Sequence, residues 1–311
     1  MRVLITGGAG FIGSAVQDIY VQAGHEVAIL DNFVAGNPAY VHPQSRVYWA
    51  DLQDASRVEE ILREWQPEVV SHHAAQIDVR QSVAQPVADA QVNILGSLHV
   101  LDAAARLGVK QFIFASSGGA CYGELQQIPA PETHPLQPVS PYGIAKVTLE
   151  HYLRFYYETH GLCYGILRYA NVYGPRQGIR GEAGVIAAFI RALLRGETPV
   201  IYGTGQQTRD YVYVADVAQV NLQILGRPEP FIFNIGTGQE TSVLSLYELI
   251  QTLIPTKIRP QFLPARVGEI SRSALDVTRV REQLGWQART SLREGLQATL
   301  AWYRQVVAGV V

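Results

Sequence analysis

Short apolar runs alternate with amphipathic stretches along the first half of the chain. The apolar runs cover residues 3–6, 26–30, 46–49, 68–71, 112–117 and 164–168, and each reads as a buried strand. Apolar residues at helical spacing cover 11–23, 58–65, 86–107 and 140–153. Strand and helix in strict alternation predict an α/β fold with a doubly wound parallel sheet, which binds ligands at the carboxyl ends of its strands.

The second half continues with smaller elements. We expect strands over 199–202 and 231–235, and helices over 181–194, 244–254, 276–284 and 292–306, with Asp216 capping a further helix. The main sheet is complete near residue 170. We therefore predict a first domain over 1–170, to which the chain returns around 212–236, and a smaller C-terminal α/β domain over 171–311.

The composition favours a globular protein of a reducing compartment. The 311 residues carry a net charge of −2, with 48% hydrophobic and 17% charged residues, so we expect neither a nucleic-acid partner nor a membrane surface. Cys121 and Cys163 form no metal or disulfide pattern, which predicts a cytoplasmic location. The apolar run at 3–6 is too short for a signal-peptide core, and no run reaches membrane-spanning length.

A glycine motif follows the first strand. Gly7, Gly10 and Gly13 predict a tight turn that lets a pyrophosphate approach the backbone, with the next helix pointing its amides at the phosphates. Asp31 follows the second strand, where an acid accepts hydrogen bonds from an adenosine ribose and repels a 2′-phosphate, so NAD is preferred over NADP. A glycine turn without a ligand is the alternative, and the complete βαβ unit argues against it.

A tyrosine and a lysine share one face of the predicted helix that Ser140 caps. Tyr142 and Lys146 are four residues apart, and a protonated lysine near a phenol lowers the pKa of the phenol. The pair is therefore a candidate general base and acid at neutral pH. In isolation the pattern is more often an ordinary amphipathic pair, so the surrounding motifs decide the interpretation.

Two neighbouring histidines lie at the end of the strand at 68–71. Adjacent residues on extended backbone point to opposite faces, so we interpret His72 and His73 as structural and predict no metal site. The loop that follows, through Asp78, is placed to line the nicotinamide side. Asp51 and Leu52 end the third strand at a position suited to the adenine.

With these motifs the whole chain resembles the extended short-chain dehydrogenase/reductases, and within them the UDP-glucose (UDP-galactose) 4-epimerases, which hold NAD tightly. Related 4,6-dehydratases carry Thr-Asp-Glu before the loop Tyr-Gly pair. This chain has Gly118, Gly119 and Ala120 there, which argues against a dehydratase or a decarboxylase. Many epimerases place the catalytic hydroxyl four residues before the loop tyrosine, but here that position is Gly118. We assign the role to Ser117, with Ser116 as the alternative.

The resemblance implies two sets of ligand contacts. The NAD contacts are Gly7, Gly10, Phe11, Ile12, Gly13, Asp31, Asn32, Asp51, Leu52, Ala74, Ala75, Gln76, Asn93, Tyr142, Lys146 and Tyr169. The nucleotide-sugar contacts are Asp78, Ser117, Gly118, Asn171, Gly184, Val185, Tyr202, Arg209, Arg266, Glu269 and Ser273. Arg209 and Arg266 would hold the diphosphate while the sugar turns, and Glu269 would bind the uridine ribose. Ser273 would lie beside the C2 substituent of the sugar.

The sequence therefore predicts an NAD-dependent UDP-glucose/UDP-galactose 4-epimerase of galactose metabolism. The alternatives are a 4-epimerase of a UDP-N-acetylhexosamine or UDP-uronic acid, and a catalytically silent NAD-sensing protein. The helix at 86–107 is apolar on most faces, which favours burial against both the sheet and a second subunit. We expect a homodimer formed through the helices at 86–107 and 141–160.

Overall fold

A seven-stranded sheet lies at the centre of the fold in a computed structural model that describes residues 1–178, 184–265, 270–307 and 309. The strands β1 to β6 are Arg2–Thr6, Glu26–Asp31, Arg46–Trp49, Val69–His72, Gln111–Ser117 and Cys163–Tyr169. They run parallel in the order β3-β2-β1-β4-β5-β6, and the later strand Phe231–Ile235 extends the sheet beyond β6. The predicted doubly wound parallel sheet is confirmed.

Helices follow the first strands in sequence. The helices α1 to α7 are Phe11–Gln22, Ala55–Trp65, Val79–Ala84, Pro86–Ala90, Ser97–Arg106, Gly118–Cys121 and Pro141–His160. Apolar side chains of α2, α5 and α7 join those of the central strands in one buried core, which includes Leu4, Val70, Phe112 and Leu149. This core explains the apolar periodicity of the first half, because each element turns one apolar face toward the sheet.

The long helix expected over 86–107 is interrupted. A π-helix, Gln91–Gly96, separates α4 from α5. Gly96 lies where the helix meets the loop after β3, and a Cβ there would come within 2.9 Å of the Cβ of Leu52. The wider turn cannot be read from 3.6-residue periodicity, and π-helical turns often occur at functional sites.

Smaller elements make up the rest of the chain. The strands β7 to β13 are Asn171–Tyr173, Val200–Tyr202, Thr208–Arg209, Tyr211–Tyr213, Phe231–Ile235, Thr241–Ser242 and Gln261–Leu263. The helices α8 to α12 are Val185–Leu194, Val214–Gln223, Val243–Leu253, Thr278–Leu284 and Leu292–Val307. Asp216 lies within the first turn of α9 and is not its cap, which corrects the prediction. Its carboxylate accepts a hydrogen bond from the Thr290 amide.

The chain divides into two compact units. The first comprises Met1–Gly123, Pro135–Tyr169 and Ala218–Phe233, and the second comprises Glu124–His134, Ala170–Val217 and Asn234–Val311. The division predicted from sequence did not separate 124–134 from the first domain. In the second unit α8, α10 and α12 bury a core of their own that contains Phe189, Leu246 and Tyr303. None of the helices in the described ranges is long and apolar enough to cross a membrane.

Candidate active site

The loop between β1 and α1 forms an anion cradle. A Cβ on Gly13 would lie 2.2 Å from the carbonyl oxygen of Gly7, so only glycine allows this close turn. Gly10 precedes α1, and no side chain caps the first turn of the helix, which begins with Phe11 and Ile12. Uncapped amides at a helix N-terminus bind phosphate oxygens, so the cradle fits the pyrophosphate of a dinucleotide.

Asp31 closes the cradle from the end of β2. One carboxylate oxygen accepts the Ala9 amide at 3.0 Å and the other accepts the Phe33 amide at 2.8 Å. Burial raises the pKa of Asp31, and these two hydrogen bonds oppose that rise. Beside it, Asn32 donates to Asp51 at 2.8 Å, which joins the ends of β2 and β3. The predicted ribose and adenine residues are thus adjacent at one sheet edge.

The loop after β4 is held by side-chain hydrogen bonds. Asn93, in the π-helix, accepts the Gln76 amide at 2.8 Å and donates to the Gln76 carbonyl at 2.9 Å. Ala74 at the start of the loop donates its amide to Thr6 Oγ1 at 3.3 Å. Asp78 at its end caps α3 by accepting the amides of Arg80 and Gln81. The loop therefore has a fixed path past the carboxyl end of β1.

The two histidines at the end of β4 make structural contacts. His72 bridges Thr6 and Ser97 through its two ring nitrogens at 2.8 and 2.9 Å, and His73 contacts Ser71 at 2.9 Å. Burial lowers the pKa of each imidazole to about 3. Within the described ranges no group of His, Cys, Asp and Glu side chains could hold a metal ion.

Three predicted catalytic residues meet where β5 ends beside α7. Ser140 caps α7 by accepting the Gly143 amide at 3.2 Å, so the helix begins immediately before Tyr142. The Ser117 side chain lies beside that of Tyr142 and acts to lower the pKa of its phenol. Lys146 donates to the Ala115 carbonyl at 2.8 Å, and its Nζ lies 5.6 Å from the centre of the Tyr142 ring. A hydroxyl, a phenol and an ammonium can therefore share and move one proton.

The chain's own groups do not lower the pKa of Tyr142 as the helical pairing predicted. Burial raises it, a negative charge on Cys121 or Asp89 raises it further, and the neighbouring Ser117 hydroxyl opposes them. Burial also lowers the pKa of Lys146 to about 8. Desolvation is the largest cause of both shifts, because the phenol and the ammonium lose water at the same place.

Ser116 belongs to a buried hydrogen-bond network on the side of Glu150 and Arg168. Its Oγ donates to Glu150 at 2.6 Å, and Arg168 donates to the same carboxylate at 3.1 and 2.5 Å. The side chains of Arg168 and Glu150 are only 4% and 5% exposed. Arg168 also donates to the Tyr122 hydroxyl at 2.9 Å. The sequence reading missed this buried network, although Glu150 lies four residues after Lys146 on the same helix.

Other predicted residues of the first unit lie at the same edge of the sheet. Leu52 accepts a hydrogen bond from His99 at 2.8 Å through its carbonyl. Gly118 begins α6 directly after Ser117, and the Tyr169 hydroxyl at the end of β6 accepts from Asn221 at 2.9 Å. Ala75 belongs to the loop after β4. The first unit therefore collects its predicted residues around the carboxyl ends of its parallel strands.

The predicted sugar-nucleotide residues of the second unit lie at element ends. Asn171 begins β7, and Tyr202 and Arg209 end β8 and β9. Gly184 precedes α8, whose first residue is Val185, and no side chain caps that helix. Arg266 and Glu269 lie outside the described residues. The N-terminus of α8, like that of α1, has backbone amides that no side chain caps and that can bind an anion.

Ser273 is buried, and hydrogen bonds to carboxylates fix the residues on either side of it. It is 6% exposed, so the alternative of an exposed loop serine is wrong. Glu124 accepts the amide and the hydroxyl of Ser271, each at 3.0 Å, and Glu240 pairs with Arg272. Asp210, which is itself buried, accepts the amide of Leu275 at 3.3 Å and those of Thr237 and Gly238. Glu124 and Asp210 thus hold the backbone on either side of Ser273, and Glu240 holds the side chain of the neighbouring Arg272.

Comparisons with known proteins agree with these features. The model of the NAD dependent epimerase/dehydratase family matches residues 3–236. A putative UDP-glucose 4-epimerase of Methanocaldococcus jannaschii is 43% identical over 97% of this chain and 98% of its own length. The structure of a Thermotoga maritima UDP-glucose 4-epimerase with UDP-glucose aligns with a TM-score of 0.97 at 44% identity, covering 99% of this chain and 100% of that chain. That of a Thermus thermophilus UDP-glucose 4-epimerase with NAD has a TM-score of 0.94 at 41% identity, with 98% and 99% coverage.

The buried ion pair leads to a stability prediction. Arg168→Met leaves the Glu150 carboxylate buried without its partner, so we expect the free energy of unfolding to fall by about 3–5 kcal/mol. Chemical denaturation measures it. Arg57→Met, which removes an exposed pair with Glu60, serves as the control and should cost at most about 1 kcal/mol. Equal losses of unfolding free energy in the two variants would show that the buried ion pair contributes no more to stability than the exposed one.

Proposed function

The chain belongs to the NAD dependent epimerase/dehydratase family, and from this membership we propose that it is a UDP-glucose 4-epimerase. The observation that carries the proposal is the contact of Ser117 with Tyr142 one helical turn before Lys146. The loop after Ser117 continues with Gly118, Gly119 and Ala120 and offers no acid for the elimination of water. The chemistry available is therefore proton transfer at a hydroxyl, and no group of this loop is placed to expel a leaving group.

The glycine cradle and Asp31 support NAD as the cofactor. The first-turn amides of α1 would bind the pyrophosphate, and the Asp31 carboxylate would bind the adenosine ribose. Asn32, Asp51 and Leu52 would surround the adenine. When bound, NAD would supply an acceptor and donor for the C4 hydride of the sugar and a positive charge that favours a phenolate. Asp31 would repel a 2′-phosphate, so NAD is preferred over NADP.

Tyr142 is the proposed base and acid at the C4 hydroxyl. It removes the hydroxyl proton as the C4–H bond is broken and returns a proton when that bond is remade on the opposite face. Ser117, which lies beside Tyr142, would share this proton. Ser116 cannot take that role while it donates to Glu150. Lys146 is anchored to Ala115 and keeps a positive charge beside the phenol, which offsets part of the cost of forming the phenolate.

The second unit would hold the nucleotide part of the substrate. Arg209 presents a guanidinium at the end of β9, and the uncapped amides of α8 begin at Val185. Both features suit diphosphate oxygens. Asn171 and Tyr202 belong to the same predicted set, and Arg266 and Glu269 complete it. A firmly held diphosphate leaves a neutral 4-keto sugar free to turn over.

We also infer a cytoplasmic homodimer. Exposed apolar side chains lie along the two helical regions of the expected interface: Leu95 before α5, and Ile144, Tyr152 and Phe155 on α7. Such a patch is costly to leave in water and is typical of a subunit interface. Both cysteines are buried and free, which fits a reducing compartment. Interconversion of UDP-glucose and UDP-galactose would place the enzyme in galactose metabolism.

The function is tested with a panel of UDP-sugars. We expect the wild-type protein to interconvert UDP-glucose and UDP-galactose, with product stereochemistry read by NMR. Tyr142→Phe should keep the fold and the bound NAD and lower turnover by roughly 10²- to 10⁴-fold, the usual contribution of a general acid–base group. Near-normal turnover of Tyr142→Phe would remove this residue from the mechanism. A wild-type protein that binds NAD and turns over no UDP-sugar would instead support the NAD-sensing alternative.

The small side chain of Ser273 predicts a second substrate class. Serine leaves room for an N-acetyl group at C2, so we expect UDP-N-acetylglucosamine to be accepted as well as UDP-glucose. Ser273→Tyr should lower turnover of the N-acetyl sugar by roughly 10- to 200-fold relative to UDP-galactose, because a few heavy atoms in a pocket are worth about 1–3 kcal/mol. Ser273→Ala keeps the space and should keep the wild-type ratio of the two substrates. The idea fails if wild type ignores the N-acetyl sugar, or if tyrosine slows both substrates alike.

A further inference from the structure

A carboxylate without an assigned role is buried behind the catalytic pair. Asp89 lies in the first turn of α4 and is 2% exposed. Its Oδ1 accepts Asn93 Nδ2 at 2.9 Å and Gln76 Nε2 at 3.0 Å. Its Oδ2 has no hydrogen-bond partner in the described part of the chain. Burying a carboxylate in this way is costly, so a purely structural acid would be expected to use both oxygens.

Asp89 controls the loop after β4 through its two partners. Asn93 holds the backbone amide and carbonyl of Gln76, and Asp89 fixes the orientation of the Asn93 amide group that does so. Gln76 Nε2 also donates to the Asp78 carbonyl at 3.0 Å. One carboxylate therefore connects the π-helix to the loop that would line the nicotinamide side.

The charge of Asp89 also acts on the catalytic pair, because α4 packs against α7 and brings these groups together. It raises the pKa of Tyr142 and that of Lys146. In return, the Lys146 charge and the hydrogen bonds from Gln76 and Asn93 oppose the rise that burial imposes on the pKa of Asp89. The acid and the catalytic pair therefore influence one another's protonation.

The other ionisable groups around Tyr142 and Lys146 are either neutral near pH 7 or paired with an opposite charge. Burial raises the pKa of the Cys121 thiol to about 11 and lowers the pKa of His72 and His73 to about 3, so all three are neutral near pH 7. Glu150 also raises the pKa of Lys146, but its charge is paired with Arg168. Asp89 has no ion-pair partner among the described residues, so Gln76, Asn93 and Lys146 are the groups that stabilise its charge.

We propose that Asp89 is a positioning residue for the reaction: it fixes the loop after β4 through Asn93 and Gln76 and sets a negative charge behind Tyr142 and Lys146. The charge favours the protonated form of Lys146 and the phenol form of Tyr142. The proposal rests on the proposed function only in taking Tyr142 and Lys146 as the reacting pair.

Asp89→Asn separates charge from geometry. The amide oxygen can still accept from Asn93 and Gln76, while the negative charge is removed. Loss of a negative charge lowers the pKa of a phenol and of an ammonium alike, since each becomes more negative on losing its proton. We therefore expect the tyrosinate absorbance titration of Tyr142 in the NAD-saturated protein to move to lower pH. The acidic and the basic limb of the pH profile of kcat should both move to lower pH as well.

Two further variants make the result specific. Subtracting the titration of Tyr142→Phe isolates the Tyr142 signal from those of the other tyrosines. Glu60→Gln removes an exposed carboxylate on α2 and should leave the titration where it is. An unshifted titration of Asp89→Asn, with or without a loss of thermal stability, overturns the proposal and leaves Asp89 a structural acid. Because the absorbance does not depend on turnover, it tests Asp89 even if the protein proves to have no epimerase activity.

Discussion

The hydrogen bond from Lys146 to the Ala115 carbonyl joins α7 to the end of β5, and the catalytic arrangement depends on it. Ser117 lies two residues beyond Ala115 on the strand, and Tyr142 lies one turn before Lys146 on the helix. Fixing one contact therefore brings a hydroxyl and a phenol side by side. The Ser140 cap sets where the helix begins, and the buried pair of Glu150 and Arg168 holds the next turn. Both constraints act on α7, one at its start and the other one turn after Lys146.

Burial gives this arrangement its chemical character. An exposed tyrosine and lysine four residues apart would titrate near their ordinary values, but here desolvation raises the pKa of the phenol and lowers that of the ammonium. The phenol holds its proton more firmly, and the ammonium holds its proton less firmly. A positive charge arriving beside them then has a large effect, because little water remains to screen it. The protonation of the pair would therefore respond strongly to a positively charged cofactor.

Much of the fold followed from the sequence because apolar runs and glycine spacing are local signals. The parallel sheet, the cradle after β1 and the helix carrying Tyr142 and Lys146 all have such signals, and they lie where the pattern predicted. The π-helix could not be predicted, since an extra residue per turn leaves no mark on an apolar pattern. The pKa of Tyr142 was expected to fall because sequence spacing shows the lysine but not the loss of water. Asp89 reads in sequence as an ordinary acid in the first turn of a helix, and only its burial distinguishes it.

The most direct test of the account follows the hydrogen at C4 of the sugar. UDP-glucose carrying deuterium at C4 is incubated with the protein in ordinary water, and the deuterium content of the UDP-galactose formed is measured by NMR. If the hydride leaves and returns within one site, as we propose, UDP-galactose should form with its deuterium retained at C4. Loss of the deuterium to water, or the absence of UDP-galactose, would contradict the account.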